Sequence, residues 1–328
     1  MSTSKRNSGA RVKAKALSVP PPRGKAKPSA RVEPKSRANA GAMPDARTAS
    51  APRPTPKPRT TPAIQAKASA AAKANVAAKA NAPAPPRTAT GMLDRSVAFD
   101  DGRTMPYVVH VPRDFAGRDD AQRERWPVVL FLHGAGERGS DGLLQTEVGI
   151  GSAIRRFPAR YRGIVVMPQA PQHARWAGPV AETAMRALDA TLAEFDCDPA
   201  RVYLTGLSLG CEGAWYLACE HRARFAALLA VCGWVGDRGP LPSFVAEGEG
   251  TPYDRVAARL RGLPTWIVHG EADVAVPVVE SRRMAEALEA IGGPVTYSEL
   301  PGVNHNAWDP AYQSEAIATW LFAQRQHR

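Results

Sequence analysis

A serine stands between two glycines, each two positions away, in Gly206-Leu207-Ser208-Leu209-Gly210. A β-reading run, 201–205, precedes it and a helix-reading run, 212–221, follows. A sharp strand-to-helix turn would push the Ser208 hydroxyl out of the fold, and such a turn leaves no room for side chains at the flanking glycine positions. The helix beginning there aims unsatisfied N–H groups and a partial positive charge back at the serine. The chemistry these features suit is attack by an activated hydroxyl. By itself the pentapeptide also fits an ordinary Gly/Ser turn, so the groups that must assist it decide between the two.

A serine hydroxyl is a weak nucleophile until a base takes its proton, and a third group must hold that base in one tautomer. Two later strand-like runs end in loops carrying such groups. Run 265–268 leads into His269-Gly270-Glu271-Ala272-Asp273, and run 295–300 into Pro301-Gly302-Val303-Asn304-His305. His305 is the expected base and Asp273 its orienting carboxylate, with Glu271 as the rival acid nearer the strand. His133 and His269 compete as bases. Each precedes a glycine at the end of a strand, where local packing or hydrogen bonding is the expected role. The developing oxyanion needs two backbone N–H donors. Leu209, next after the nucleophile, supplies one. The turn 133–139 supplies the other, from Ala135 or its neighbour Gly136, with Ala135 preferred.

That turn also matches the dinucleotide pattern, as Gly134-x-Gly136-x-x-Gly139 after a strand. The next strand ends Val166-Met167-Pro168-Gln169 without an acid to hold a ribose, and Ser140-Asp141-Gly142 opens no clear helix. No nucleotide, other cofactor or metal is expected.

The elements that must position these groups alternate. A hairpin is expected around Asp101-Gly102, from strands 94–100 and 105–111. The continuous apolar runs 127–132 and 163–167 read as strands buried on both faces. Helix 182–195, strand 226–231, helix 253–260, helix 279–291 and a closing helix 310–324 complete the series, with a long loop over 233–251. The pattern predicts an α/β fold with a mostly parallel sheet and helices on both faces.

The chain divides chemically near residue 90. Residues 1–90 hold 19 Lys and Arg against Glu33 and Asp45, hold 14 of the 30 prolines, and lack Phe, Trp, Tyr, His and Cys. The formal charge of +12 therefore belongs to this segment, because 91–328 carries 24 basic and 29 acidic residues. Such a tail cannot bury enough apolar surface to offset ordering and is expected to be disordered. Lys67, Lys73 and Lys79 mark a degenerate six-residue repeat. Contact with nucleic acid or another polyanion is one reading of it, a solvated linker the other. No apolar signal-peptide core and no membrane-length apolar run is visible, so a cytoplasmic location is expected. Cys197, Cys211, Cys219 and Cys232 form no C-x-x-C pair and read as buried thiols.

With these residues in hand, 94–326 resembles the α/β-hydrolases, and more narrowly the bacterial esterases of carboxylesterase/phospholipase, feruloyl-esterase and polyhydroxybutyrate-depolymerase type. Some relatives are labelled predicted peptidases of the prolyl oligopeptidase clan. The resemblance rests on 132–139, on Pro168-Gln169-Ala170-Pro171 with Trp176, on 202–210, on 269–277 and on 302–308. It implies Ser208, Asp273 and His305 as the triad of a serine esterase acting on a small ester. Trp234, Trp308 and Gln169 are the expected substrate contacts. A serine peptidase is the alternative enzyme, and a polyanion-binding protein with a non-catalytic hydrolase body the alternative of another class. The family usually carries glycine where this chain has Cys211. A thiol at a helix N-terminus can be acidic and reactive, although a small residue packed under the turn is the preferred reading. Because relatives are often secreted, the chain's first residue is itself uncertain as a natural start.

Overall fold

The computed structural model describes residues 89–115, 124–235 and 248–326, all within one compact unit, Ala71–Arg328. The basic tail over 1–90, but for its last two residues, and most of the loop over 233–251 lie outside the described residues.

Eight strands form one sheet: β1 (Gly91–Ala98), β2 (Thr104–Val111), β3 (Trp126–Leu132), β4 (Ile164–Pro168), β5 (Cys197–Leu207), β6 (Ala227–Val231), β7 (Thr265–Gly270) and β8 (Val295–Leu300). Their spatial order is β1-β2-β4-β3-β5-β6-β7-β8. The β1–β2 hairpin is antiparallel and β2 meets β4 antiparallel, while β4 through β8 pair in parallel. Every residue of β3 is buried, as a strand with apolar cover on both faces requires. The edge strand β1 instead alternates half-buried and exposed positions.

The helices are α1 (Gly149–Arg156), α2 (Gly178–Glu194), α3 (Leu209–Glu220), α4 (Pro252–Arg259), α5 (Val279–Ala290), α6 (Trp308–Gln313) and α7 (Glu315–Ala323). Val128, Leu130 and Leu132 of β3 point to one core with Leu188 of α2, Leu217 of α3, Val256 of α4 and Leu288 of α5. Val129 and Phe131 point to the other, with Ile150 and Ile154 of α1, Tyr312 of α6 and Leu321 of α7. Period-two side-chain alternation thus feeds two cores, and each fully buried residue of this size stabilises by about 1.5–3 kcal/mol.

Three helical readings need correction. The closing helix over 310–324 is two helices. Ser314 leaves the helical region at φ −75°, ψ 121°, and its hydroxyl accepts the Ile317 N–H, so it caps α7 instead of continuing α6. The helix α1 was not expected at all, because Gly149 and Gly151 in its first turn hide an inward face of Ile150, Ala153 and Ile154. The helix after the serine turn begins at Leu209, three residues earlier than its apolar pattern indicates.

Candidate active site

The loops that follow β3, β5, β7 and β8 all leave the carboxyl edge of the parallel strands, the edge where open α/β sheets hold their ligands. Ser208 follows β5, near the middle of the sheet. Its backbone adopts φ 52°, ψ −119°, a left-handed conformation a non-glycine residue rarely takes. The Ser208 N–H donates to the Val231 carbonyl at 3.0 Å, tying the turn to β6. A Cβ on Gly206 would lie 2.1 Å from the Gly210 carbonyl oxygen, and one on Gly210 2.0 Å from that of Leu132. The two glycines are therefore required by close approach within the turn and against the end of β3.

The acid and histidine loops are stitched together by backbone bonds, Glu271 N–H to Leu300 O at 3.0 Å and Ala272 N–H to Val303 O at 2.9 Å. Gly270 permits the approach, since a Cβ there would meet Asn304 O at 2.3 Å. His305 Nδ1 lies 2.7 Å from Asp273 Oδ2, and Nε2 lies 3.0 Å from Ser208 Oγ. An ionised carboxylate only accepts, so Nδ1 carries the ring hydrogen and Nε2 presents its lone pair to the serine hydroxyl. The Asp273 carboxylate has no exposed surface, and its Oδ1 takes the N–H groups of Ala275 and Val276 at 2.9 and 2.8 Å. Glu271, the rival acid, spends its carboxylate on the Gly302 N–H at 3.0 Å and is exposed.

The turn after β3 is held from beneath by His133, which is fully buried. Ala170 N–H donates to its Nε2 at 3.0 Å. That makes Nε2 the lone-pair nitrogen, so Nδ1–H donates to the Gly134 carbonyl at 2.7 Å. Burial holds the imidazole down to about 4, hence neutral. Glu137 lies on the same turn, and burial raises its carboxyl above its ordinary range. A Cβ on Gly134 would lie 3.7 Å from the Ser208 Cβ, so this turn lies directly against the serine. The N–H groups of Ala135 and Leu209 meet no acceptor among the described residues.

No protein-family model matches the chain. A curated relative, an uncharacterized secreted protein of Arthroderma benhamiae, is 25% identical over 197 residues, 55% of this chain. Among solved structures, a thermostable esterase matches with TM-score 0.60 and 29% identity over 72% of this chain. A ferulic acid esterase matches with TM-score 0.55 and 20% identity, covering 71% of this chain and 98% of its own. The S-formylglutathione hydrolase FrmB of Staphylococcus aureus matches with TM-score 0.55 and 18% identity, covering 74% and 100%. The chain has the α/β-hydrolase fold. It spans 21% of the length of the curated relative and 63% of that of the thermostable esterase.

Within this hydrolase fold, Ser208, His305 and Asp273 come together, and the turn carrying Ala135 joins them. Gln169 does not face the site, which corrects its expected role as a substrate contact. It is fully buried, accepts the Gly142 N–H at 2.7 Å and donates to Glu137 O at 3.0 Å, so it braces the turn over 137–142. Trp234 is 8% exposed and donates its indole N–H to Glu212 Oε1 at 3.1 Å. Glu212 also pairs with Arg175, whose guanidinium lies 5.9 Å from the Trp234 ring centre. Trp308 is half-buried and stands edge-on to the His305 ring, 5.3 Å between centres.

Cys211 is buried beneath the turn, packed so closely that a Cβ on Gly233 would meet its Cβ at 2.3 Å. Burial pushes its thiol up to about 12, so the reading of an acidic, reactive thiol is set aside. The dinucleotide pattern leads into turns and a single 3-10 turn, Leu144–Thr146, instead of an α-helix. Among the described residues, no group of three or more His, Cys, Asp or Glu could hold a metal, and no helix is long and apolar enough to cross a membrane. His133 and His269 take the buried, locally hydrogen-bonded roles expected of them, although their partners Ala170 and Ser281 could not be read from the sequence. The signal for both histidines was the His-Gly pair closing both β3 and β7.

Proposed function

We propose that the chain is a serine hydrolase that cleaves carboxylic esters through an acyl-enzyme. The observation that carries this reading is the unbroken line Ser208 Oγ, His305 Nε2, His305 Nδ1, Asp273 Oδ2, with both links within 3.0 Å. The thermostable esterase at 29% identity supports a hydrolase acting on esters, and the ferulic acid esterase and FrmB neighbours share the fold.

Ser208 Oγ attacks the ester carbonyl carbon while His305 Nε2 takes the hydroxyl proton. Asp273 holds the ring and stabilises the imidazolium. The carbonyl oxygen, now anionic, sits against the Leu209 and Ala135 N–H groups, a contribution worth about 10²–10³ in rate per donor. As the tetrahedral intermediate collapses, the C–O bond breaks and His305 returns the proton to the leaving alcohol. Water then attacks the acyl-serine with His305 again as base, releasing the carboxylic acid.

The test is hydrolysis of p-nitrophenyl acetate and butyrate together with labelling by a fluorophosphonate. Ser208→Ala is expected to lower kcat by roughly 10⁴-fold or more and to abolish labelling; labelling that survives the substitution rejects the reading. The peptidase alternative uses the same three side chains, and a peptide substrate run beside the esters separates it. No finding favours the polyanion-binding alternative.

A further inference from the structure

His269, the penultimate residue of β7, is fully buried four residues before Asp273. Its Nε2 lies 3.0 Å from the Val276 carbonyl oxygen and 3.2 Å from Asp273 Oδ2. Both neighbours are acceptors, so Nε2 carries the hydrogen, which it donates to Val276 O with Asp273 Oδ2 lying close beside it. Nδ1 is then the lone-pair nitrogen and takes the hydroxyl hydrogen of Ser281 at 2.7 Å. Ser281 is itself buried, in the first turn of α5.

Asp273 Oδ2 therefore receives the Nδ1–H of His305 at 2.7 Å and lies against the Nε2 edge of the His269 ring at 3.2 Å. We propose that His269 is a positioning residue for the reaction of Ser208: its Nε2–H occupies one side of Asp273 Oδ2 and leaves the other facing His305 Nδ1. The proposal rests on the ester-hydrolase reading. His269 touches no reacting atom, and its effect passes through Asp273 alone. The backbone N–H groups of Ala275 and Val276 anchor Oδ1, and His269 and His305 are the imidazoles that flank Oδ2. Ser281 extends the chain one step further, because its hydroxyl selects the tautomer in which Nε2 can donate. A neutral ring suits this task, and desolvation of the buried imidazole depresses its affinity for a second proton.

A simpler role exists, in which His269 only ties the turn at Val276. The two separate experimentally. On the full chain, kcat and KM for p-nitrophenyl butyrate and the rate of fluorophosphonate labelling are measured for His269→Leu, His269→Gln, Ser281→Ala and Asp273→Asn, and for Asp273→Asn combined with His269→Leu. His269→Leu is expected to lower kcat and labelling by about 10- to 100-fold with KM within about twofold, as misplacement of a reacting group does. His269→Gln, which keeps an N–H where Nε2 stands, recovers most of that loss. Ser281→Ala loses several-fold.

In the Asp273→Asn background, His269→Leu adds nothing further, because both substitutions break the same link. An equal loss in both backgrounds, or a Ser281→Ala variant reacting at the parent rate, overturns the proposal. Should His269→Leu fail to fold, the Ser281→Ala and His269→Gln rates decide, parent-like rates in the first or a loss above 10-fold in the second counting against it. A parent chain that neither hydrolyses ester nor labels sinks the hydrolase reading itself, and the proposal with it.

Discussion

His133 Nδ1–H donates to the carbonyl of Gly134, the next residue, across 2.7 Å. The Gly134–Ala135 peptide is trans, as no cis bond occurs among the described residues. In a trans peptide the C=O and the following N–H point opposite ways. Turning Gly134 O inward onto His133 therefore turns the Ala135 N–H outward, away from the imidazole. Arg138 Nε–H donates to Ala135 O at 2.9 Å and fixes the next peptide as well. A buried imidazole thus sets the direction of a surface amide that the proposed mechanism uses. His133→Leu is expected to lower kcat by about 10²-fold, within the range for a displaced oxyanion donor. Leaving Ala170 N–H and Gly134 O without partners costs about 1–3 kcal/mol of stability. His133→Asn, which keeps a donor near Nδ1, recovers part of the rate. Steady-state kinetics and thermal melts read both effects, and a His133→Leu variant at parent kcat would contradict the assignment.

Asp273→Asn is the sharpest test of the tautomer. Oδ1 can still accept the Ala275 and Val276 N–H groups, so the loop keeps its shape. The side-chain NH2 then faces His305 Nδ1 and requires that nitrogen to accept. Nε2 carries the hydrogen instead and can no longer take the Ser208 proton. The expected fall in kcat is roughly 10⁴-fold with little change in KM. Burst kinetics with p-nitrophenyl acetate should place the defect in acylation. A drop of only a few-fold would mean that His305 is oriented by something other than this carboxylate.

How far the fold was legible in the chain depended on whether a local pattern carried the signal. The strand β3 could be read because burial on both faces demands an unbroken apolar run, and the serine turn because close approach leaves glycine alone at 206 and 210. The turn residues of α1 obscured it, since Gly149 and Gly151 read as loop while the helix is held by packing of Ile150 and Ile154. The break at Ser314 was invisible because apolar periodicity runs across it, and only the capping bond to Ile317 marks it. Gln169 was misjudged for a similar reason: nothing local distinguishes a polar residue bracing a turn from one facing a ligand. The tasks of His133 and His269 depend on Ala170 and Ser281, partners set by the fold and not by spacing.

Cys211 offers a prediction in the opposite sense. Its thiol is 1% exposed and carries no share of the proposed chemistry. Cys211→Ala is expected to leave kcat within about twofold while costing on the order of 1 kcal/mol for the small cavity under the turn. Iodoacetamide should not inactivate the folded parent protein, because a thiol raised to about 12 is almost wholly protonated at neutral pH. Rapid inactivation, protected by substrate and absent in Cys211→Ala, would bring the thiol back into the mechanism.

Stability should fall on mild acidification, and the buried histidines give the sign. Burial holds His133 and His110 down to about 4, against an ordinary value of 6.5. Below pH 6.5 the unfolded chain binds a proton at each, while the folded chain resists until about pH 4. The unfolded state therefore gains protons first, and stability is lost progressively between these limits. By pH 5 the loss is on the order of 2 kcal/mol for each histidine. Glu137 and Glu212, raised by burial, work in the opposite direction, because the folded chain protonates them before the unfolded chain does. His110 isolates the effect, because it lies on β2 away from Ser208 and its Nδ1 has no partner among the described residues. Denaturant unfolding at pH 7.5 and pH 5 should show a smaller acid-induced loss in His110→Leu than in the parent, by about the contribution of one such histidine. Equal losses in the two proteins would mean that His110 titrates in the folded state much as it does in the unfolded one.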